Sequence, residues 1–430
     1  MDTPPRDQSV ESTPSMALAL TSVILGVLAV ALSFILIGFL LGLAGLFFGL
    51  AHLSRKVVPR AMARWGVGLS IAGMAASVGF GVLYFSFYNK FSQGMKSARS
   101  SQAVSPSSLA PLPAASQLLN PVVLWSHSIP GAQSMCVGDW DKDRTSRILV
   151  ADGSTLHALD SSGAERSATP LSDNFKIIEF GRNKTDGARL LGYNPWGQGI
   201  EVVDHNGKKL WSYHSTLGAD GAHWGDLDGD GNDEMIVGMN GFGGLVALSS
   251  DGKKIWSAKL ANVWNQAIVP ATSNRPARVF ATEAGGSVRV FDGAGRSLAT
   301  LQPGGGYFAQ MTAHAIDDKS IQIIGINVNS TVAFDETGKV AWTTSAITTA
   351  GGWRSCYFAA GDLKGDGSMQ WVFLDGAGDL VIATPAGQKI ASISSQKSLQ
   401  SFSVAPRVAG QSGLLITLDH GNVTAYALQP

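Results

Sequence analysis

Charged side chains are scarce in this sequence: Asp, Glu, Lys and Arg make up 15% of 430 residues, against about 25% in an ordinary soluble domain. The 32 basic and 32 acidic residues cancel, and no block of one sign stands out. That balance argues against a nucleic-acid binder, which lives on phosphate neutralisation. Cysteine occurs only at Cys136 and Cys356, with no C-x-x-C pair and no lipobox-like cysteine near the N-terminus. A disulfide framework, a zinc-thiolate centre and a lipoprotein anchor all lose support. Glycine is plentiful, at 51 residues, yet it follows no Gly-X-Y period. Collagen is excluded, and turn-dense β structure is the reading that remains.

The charge deficit is concentrated near the N-terminus. Residues 1–15 are polar and proline-containing and read as a disordered cytoplasmic tail. Met16 to Leu53 is a stretch of 38 residues without one charge. As a single helix it would run about 57 Å, nearly twice the ~30 Å hydrocarbon core, so two short spans fit better than one rod. It is also far longer than the apolar core of a signal peptide. A second uncharged stretch, Trp65 to Tyr88, is long enough for one more span, giving a transmembrane region over 16–88 with two or three spans. Between them Arg55, Lys56, Arg60 and Arg64 form a basic loop with no acid. The positive-inside rule places that loop in the cytoplasm and everything after Tyr88 outside, in the periplasm or beyond. Residues 89–119 are rich in Ser, Ala and Pro and read as a linker.

The loop Ser54-Arg55-Lys56 and the helix Gly66-Val67-Gly68-Leu69-Ser70-Ile71-Ala72-Gly73 resemble a small bacterial multi-helix membrane domain of unknown function. In that family a basic loop precedes a "G-x-x-L-A-I-A-G" helix, and the domain sits ahead of varied extracytoplasmic modules. Here Ser70 replaces the Ala. The resemblance implies an integral protein of the bacterial inner membrane.

Residues 120–430 repeat. Six segments share a short apolar strand running into a glycine turn, at Gly163, Gly207, Gly252, Gly295, Gly338 and Gly387, with spacings of 44, 45, 43, 43 and 49. Each reads as a hairpin. Four residues past the glycine, three repeats carry Trp211, Trp256 and Trp342. A seventh unit, Asn422 to Leu428, stops before its own tryptophan strand, and Val122-Val123-Leu124-Trp125-Ser126 supplies one from the other end. The pattern predicts an all-β, seven-bladed propeller of four-stranded blades whose last blade is completed by the first strand. Phe334-Asp335-Glu336-Thr337-Gly338-Lys339-Val340-Ala341-Trp342 resembles the quinoprotein-type (PQQ-like) propeller repeat. That resemblance implies that the tryptophans pack between blades. The quinoprotein enzymes usually have eight blades and a vicinal cysteine pair, both lacking here, so no PQQ is expected.

A second motif lies between the turns: Gly225-Asp226-Leu227-Asp228-Gly229-Asp230-Gly231-Asn232-Asp233-Glu234. Oxygen ligands at alternate places on a glycine-kinked loop wrap a hard cation, which makes Asp226, Asp228, Asp230, Asn232 and Glu234 candidate ligands for one calcium ion. The motif resembles the loops of FG-GAP and VCBS propeller repeats, which sit between the first two strands of a blade. Asp139-Trp140-Asp141-Lys142-Asp143 keeps the frame, but Arg144 replaces the turn glycine and Arg147 takes the ninth place. In Asp362-Leu363-Lys364-Gly365-Asp366-Gly367 the ammonium of Lys364 stands where a carboxylate should coordinate, so a salt bridge to Asp362 and Asp366 is expected there in place of an ion.

The eight histidines follow no repeat register, and no constellation points to catalysis. Trp264, Tyr307, Phe308, Trp353 and Arg354 fall at the starts of first strands, around one mouth of the channel. There they either bind a ligand or plug the channel and pack. The leading expectation is an envelope binding or scaffold module with a protein or carbohydrate ligand; the alternative is an envelope enzyme acting on polysaccharide.

Overall fold

A computed structural model describes residues 109–430, apart from 142, 185–186, 285, 304–307, 328–329, 348–355 and 408–410, together with scattered helical residues between 40 and 86. The chain divides into two units, Met1–Ser97 and Ala98–Pro430. In the first, every described residue between Arg64 and Ser86 is helical. Leu69, Ile71, Val78, Val82 and Phe85 are each more than half exposed on it. Among the described residues no helix is long and apolar enough to cross a membrane. The expected spans, the tail and the first part of the linker lie mostly outside those residues.

The second unit holds seven four-stranded antiparallel sheets. Their innermost strands are Ser134–Gly138, Ile177–Asn183, Ala219–Gly225, Gln266–Val269, Phe308–Ala315, Phe358–Gly361 and Ser401–Ala405, which open blades 1 to 7. Second strands such as Arg147–Ala151, Glu234–Met239 and Gln370–Leu374 are buried at every position, because a neighbouring blade covers each face. Outer strands such as Lys254–Ala258 have only one apolar contact side and alternate toward solvent.

Blade 7 closes as the repeat register predicts. Its strands Ser401–Ala405, Leu414–Asp419 and Asn422–Gln429 are completed by Asn120–Ser128, paired from Asn120 opposite Gln429 to Ser128 opposite Asn422. A bulge at Val123/Trp125 interrupts the ladder.

The tryptophans lock neighbouring blades. The indole Nε1 of Trp125 donates to Ser161 O at 2.9 Å, that of Trp211 to Ser250 O at 3.0 Å, that of Trp256 to Gly293 O at 2.9 Å and that of Trp342 to Pro385 O at 2.9 Å. Each acceptor lies in the turn of the next blade. Glycine is required in those turns twice over. Gly163 and Gly252 have φ of +83° and +81°, and a Cβ on either would fall 2.6 or 2.7 Å from the docked indole.

Blade 6 carries Ala391 at the outer-strand position that holds tryptophan in blades 2, 3, 5 and 7, and its outer edge is covered by the segment that precedes the propeller. Ala115 N and Leu119 N donate to Lys389 O and Ile390 O, both at 2.8 Å, while Leu112, Ala115 and Leu119 pack into the adjoining core. The linker expected over 89–119 therefore ends earlier, because its apolar residues find an unpaired strand edge to cover.

Candidate functional site

The acidic loop joins the first two strands of blade 3, Ala219–Gly225 and Glu234–Met239. Asp226 anchors it: Oδ1 accepts from Gly229 N at 2.6 Å and Oδ2 from Gly231 N at 2.8 Å. Glu234 Oε2 accepts from Leu227 N at 2.9 Å. Carboxylate oxygens of Asp226, Asp228 and Glu234 all lie within 4.8 Å of one another. Asp226 and Glu234 are 6% exposed. Burial, with Asp228, Asp230 and Asp226 nearby, pushes the Glu234 carboxyl up to about 7. An all-oxygen donor set carrying unbalanced negative charge fits a hard divalent cation.

Two of the five expected ligands are engaged elsewhere. Asp230 Oδ2 accepts from Asn232 Nδ2 at 2.8 Å, and Asn232 Oδ1 accepts from Lys184 N at 2.9 Å. The Lys184 ammonium, from the blade 2 hairpin, donates to Asp230 O. Asp233, which the spacing leaves out, turns away to bond Arg182 at 3.2 Å.

The other two loops keep the skeleton and replace the charge balance. In blade 1, Arg147 Nε meets Asp141 Oδ2 at 2.6 Å and its NH2 meets Asp143 Oδ2 at 2.5 Å, so a guanidinium occupies the acidic pocket. Arg144, in place of glycine, sits at φ +64°. In blade 6, Lys364 Nζ bridges Asp366 at 2.5 Å. Asp362 is not part of that bridge, because its oxygens accept the backbone N–H groups of Lys364, Gly365 and Gly367. The ninth place is Gln370, whose Oε1 accepts from Leu363 N at 2.7 Å, as Glu234 does in blade 3 but without charge.

The second site is the channel. All seven innermost strands line a cavity of about 790 Å³. Of the expected aromatic set, Trp264 lines it and is 41% exposed. Phe308 does not serve as a ligand platform: it is fully buried, its ring centroid 5.5 Å from that of Phe334, because the space between blades 4 and 5 needs a large apolar side chain. Tyr307, Trp353 and Arg354 lie outside the described residues.

Inside the channel, Glu179 of blade 2 accepts from Trp224 N at 2.9 Å and pairs with His223 Nδ1 at 2.8 Å, tying blades 2 and 3 together. Burial lowers the His223 pKa and the Glu179 carboxylate outweighs it, so the net shift is upward. Among the described residues neither oxygen of Asp220 has a hydrogen-bond partner, and desolvation pushes this carboxyl up to about 6. Both amide atoms of Gln266, which is 1% exposed, are likewise unpaired. Cys136 and Cys356 line the same cavity as free thiols, and burial raises both pKa values.

Comparison with solved structures bears on the fold. The chain is similar to BBS1N in its complex with ARL6DN in a lead-soaked crystal, at 13% identity over 73% of this chain and 97% of that one, with a TM-score of 0.55. The mercury-soaked crystal of the same complex gives 12% identity, 72% and 97% coverage and a TM-score of 0.55. BamB from Moraxella catarrhalis matches at 15% identity over 72% of this chain and all of that one, with a TM-score of 0.45. No family model and no curated protein matches the sequence.

The mouth has members that the repeat register did not single out. Trp196 is 71% exposed on a left-handed backbone, φ +60°, and Phe242 is 79% exposed. Their loops are stitched together: Trp196 N donates to Ala219 O at 2.9 Å, Asn240 N to Gly218 O at 3.2 Å, and Gly241 N to Asn262 Oδ1 at 2.8 Å. The signal was present in Pro195-Trp196-Gly197 and Gly241-Phe242-Gly243, where an aromatic ring sits in a turn with no apolar periodicity to bury it.

Proposed function

We propose that the chain is a membrane-anchored, extracytoplasmic binding or scaffold module of the bacterial cell envelope. The observation that carries this reading is the pair Trp196 and Trp264, exposed where they line the channel of a closed ring, with Phe242 exposed on the loop stitched to them. Large aromatic side chains left in water on a stitched, rigid rim are what a protein interface uses as anchors. The propeller of BBS1N is complexed with the protein ARL6DN, and a comparable use of the fold is proposed here, with a protein as partner. The exposed apolar side chains along Arg64–Ser86 and the basic loop before them support an inner-membrane anchor with the propeller on the far side.

Calcium belongs to the proposal as a structural ion. Asp226, Asp228 and Glu234 would hold it, and its charge would offset three adjacent carboxylates in the loop. The test is photo-crosslinking in intact cells. A crosslinking residue at Phe242 is expected to trap one envelope protein reproducibly, while the same residue at Leu298, on the outer strand of blade 4, traps none. Equal labelling from both positions would remove the binding-rim reading. A phosphatase fused after Gln117 should be active; an inactive phosphatase there, with a fluorescent fusion that lights up, would reverse the orientation.

A further inference from the structure

Each of the three acidic loops meets a side-chain cation, but not from the same place. Blades 1 and 6 supply Arg147 and Lys364 from their own loops, and both cations bond carboxylate oxygens. Between Asp226 and Glu234 the blade 3 loop has no basic residue. Its cation is Lys184, which follows the strand Ile177–Asn183 of blade 2.

The blade 2 hairpin grips the loop along its length. Arg182 N donates to Asp233 Oδ2 at 2.6 Å, and Asp233 N donates to Arg182 O at 2.8 Å. Lys184 N donates to Asn232 Oδ1 at 2.9 Å. The Lys184 side chain then lies across Gly231, where a Cβ would fall 2.2 Å from its Cε and 2.6 Å from its Nζ. The second glycine of the loop is therefore the groove that admits the lysine stem. Its ammonium ends on a backbone carbonyl, Asp230 O. Gly231 N is held by Asp226 Oδ2 at 2.8 Å, so the ammonium stands one residue away from a buried carboxylate of the candidate metal site.

That placement has two electrostatic effects. The ammonium offsets part of the charge on Asp226, Asp228 and Glu234 while leaving the space among their oxygens unfilled. A divalent cation entering that space is repelled by it. The ammonium can yield, because Lys184 is exposed and its bond is to a neutral carbonyl, whereas Arg147 and Lys364 are held by the stronger charge-assisted bonds to carboxylates.

We infer that Lys184 is a displaceable counter-ion of the blade 3 loop: it neutralises the metal-free loop across the blade boundary, leaves Asp230 O when calcium enters, and so sets the affinity of the site. The competition holds binding in the weak range of about 10⁻⁴–10⁻³ M, which suits an extracytoplasmic module. This rests on the calcium reading of the loop and adds the residue that tunes it.

The test is isothermal titration calorimetry of calcium chloride into the full chain in detergent at fixed ionic strength. Lys184→Met keeps the stem over Gly231 and removes the charge, and should bind calcium on the order of 10-fold more tightly than the parent. A second measurement follows the lysine itself. Brief acetic anhydride labelling of the parent, read by mass spectrometry, should rise severalfold at Lys184 when calcium is added and stay constant at exposed Lys253. A Lys184→Met variant that binds calcium no more tightly than the parent, or Lys184 labelling indifferent to calcium, would overturn the counter-ion role. If the parent still binds calcium in that case, the calcium reading stands and only the part given to Lys184 falls. If neither protein takes up calcium at tens of millimolar, both fall.

Discussion

Replacing Glu234 by Gln isolates the charge balance of the acidic loop, because blade 6 already performs the same exchange. Gln370 keeps the hydrogen bond to Leu363 N that Glu234 makes to Leu227 N, and the backbone of the two loops is otherwise alike. A carboxyl moved from 4.5 to about 7 costs the metal-free folded state roughly 3 kcal/mol once the pH is above both values. The sign follows from which state holds the proton more tightly. The folded chain does, so stability without metal is highest below pH 4.5, falls as the pH rises through 4.5–7, and is flat above. Glu234→Gln should remove that slope. In chelator at pH 8 it should melt higher than the parent by roughly 6–12 °C, taking 2–4 °C for each kcal/mol. Saturating calcium should then reverse the order, since a ligand at about 1,000 times its Kd adds about 4.1 kcal/mol to the parent alone, more than the variant gains from losing the charge. Thermal melts of the full chain in detergent, followed by circular dichroism from pH 4 to 8 with and without calcium, read all three effects. A parent chain whose chelated melting temperature does not change between pH 4.5 and 7, or a Glu234→Gln variant less stable than the parent in chelator, would refute the reasoning.

Two further outcomes are expected. Trp342→Ala should cost about 3–5 kcal/mol, because it empties a site stacked on Phe373 at 5.6 Å and breaks the bond to Pro385 O; urea denaturation measures it, and a loss below 1 kcal/mol would contradict inter-blade locking. Arg144→Gly should stabilise the chain by about 1 kcal/mol, because φ +64° suits glycine and strains arginine; a lower urea midpoint in the variant would show that the Arg144 side chain contributes more than its backbone costs.

Which features were legible in the sequence follows from how they repeat. Gly163, Gly252, Gly295 and Gly387 recur because each makes a left-handed turn that also floors an indole, so sterics wrote one residue into the chain four times. The strand Asn120–Ser128 could be assigned to blade 7 because Trp125 carried the register of an outer strand and no other segment supplied it. Asp226 and Glu234 could be placed by spacing alone, since their backbone bonds fix the loop. Asp230 and Asn232 could not, because Asn232 Oδ1 is taken by Lys184 N, from another blade 48 residues away, and the Asn232 amide in turn occupies Asp230 Oδ2. Phe308 shows the limit of reading aromatics at strand starts: whether a ring faces the channel or the gap between blades depends on a one-residue phase that spacing does not reveal. Asp220 and Gln266 carry no repeat signal, since the chemistry at a channel mouth differs from blade to blade.

The clasp of blade 7 sets an order of events during synthesis. The strand Asn120–Ser128 leaves the ribosome first among the propeller's strands, and its partner Asn422–Gln429 leaves last. At 5–20 residues per second, the roughly 300 residues between them take about 15–60 s to translate, long after hairpins within finished blades can form. Throughout that interval the early strand is a waiting edge, exposed to any other nascent strand nearby. Its sequence is suited to waiting: Pro121 lacks an N–H to offer, and the bulge at Val123/Trp125 keeps the strand from presenting a flat, unbroken ladder. The same residues that finish the ring at the end of synthesis thus make the strand a poor template for any wrong partner before then.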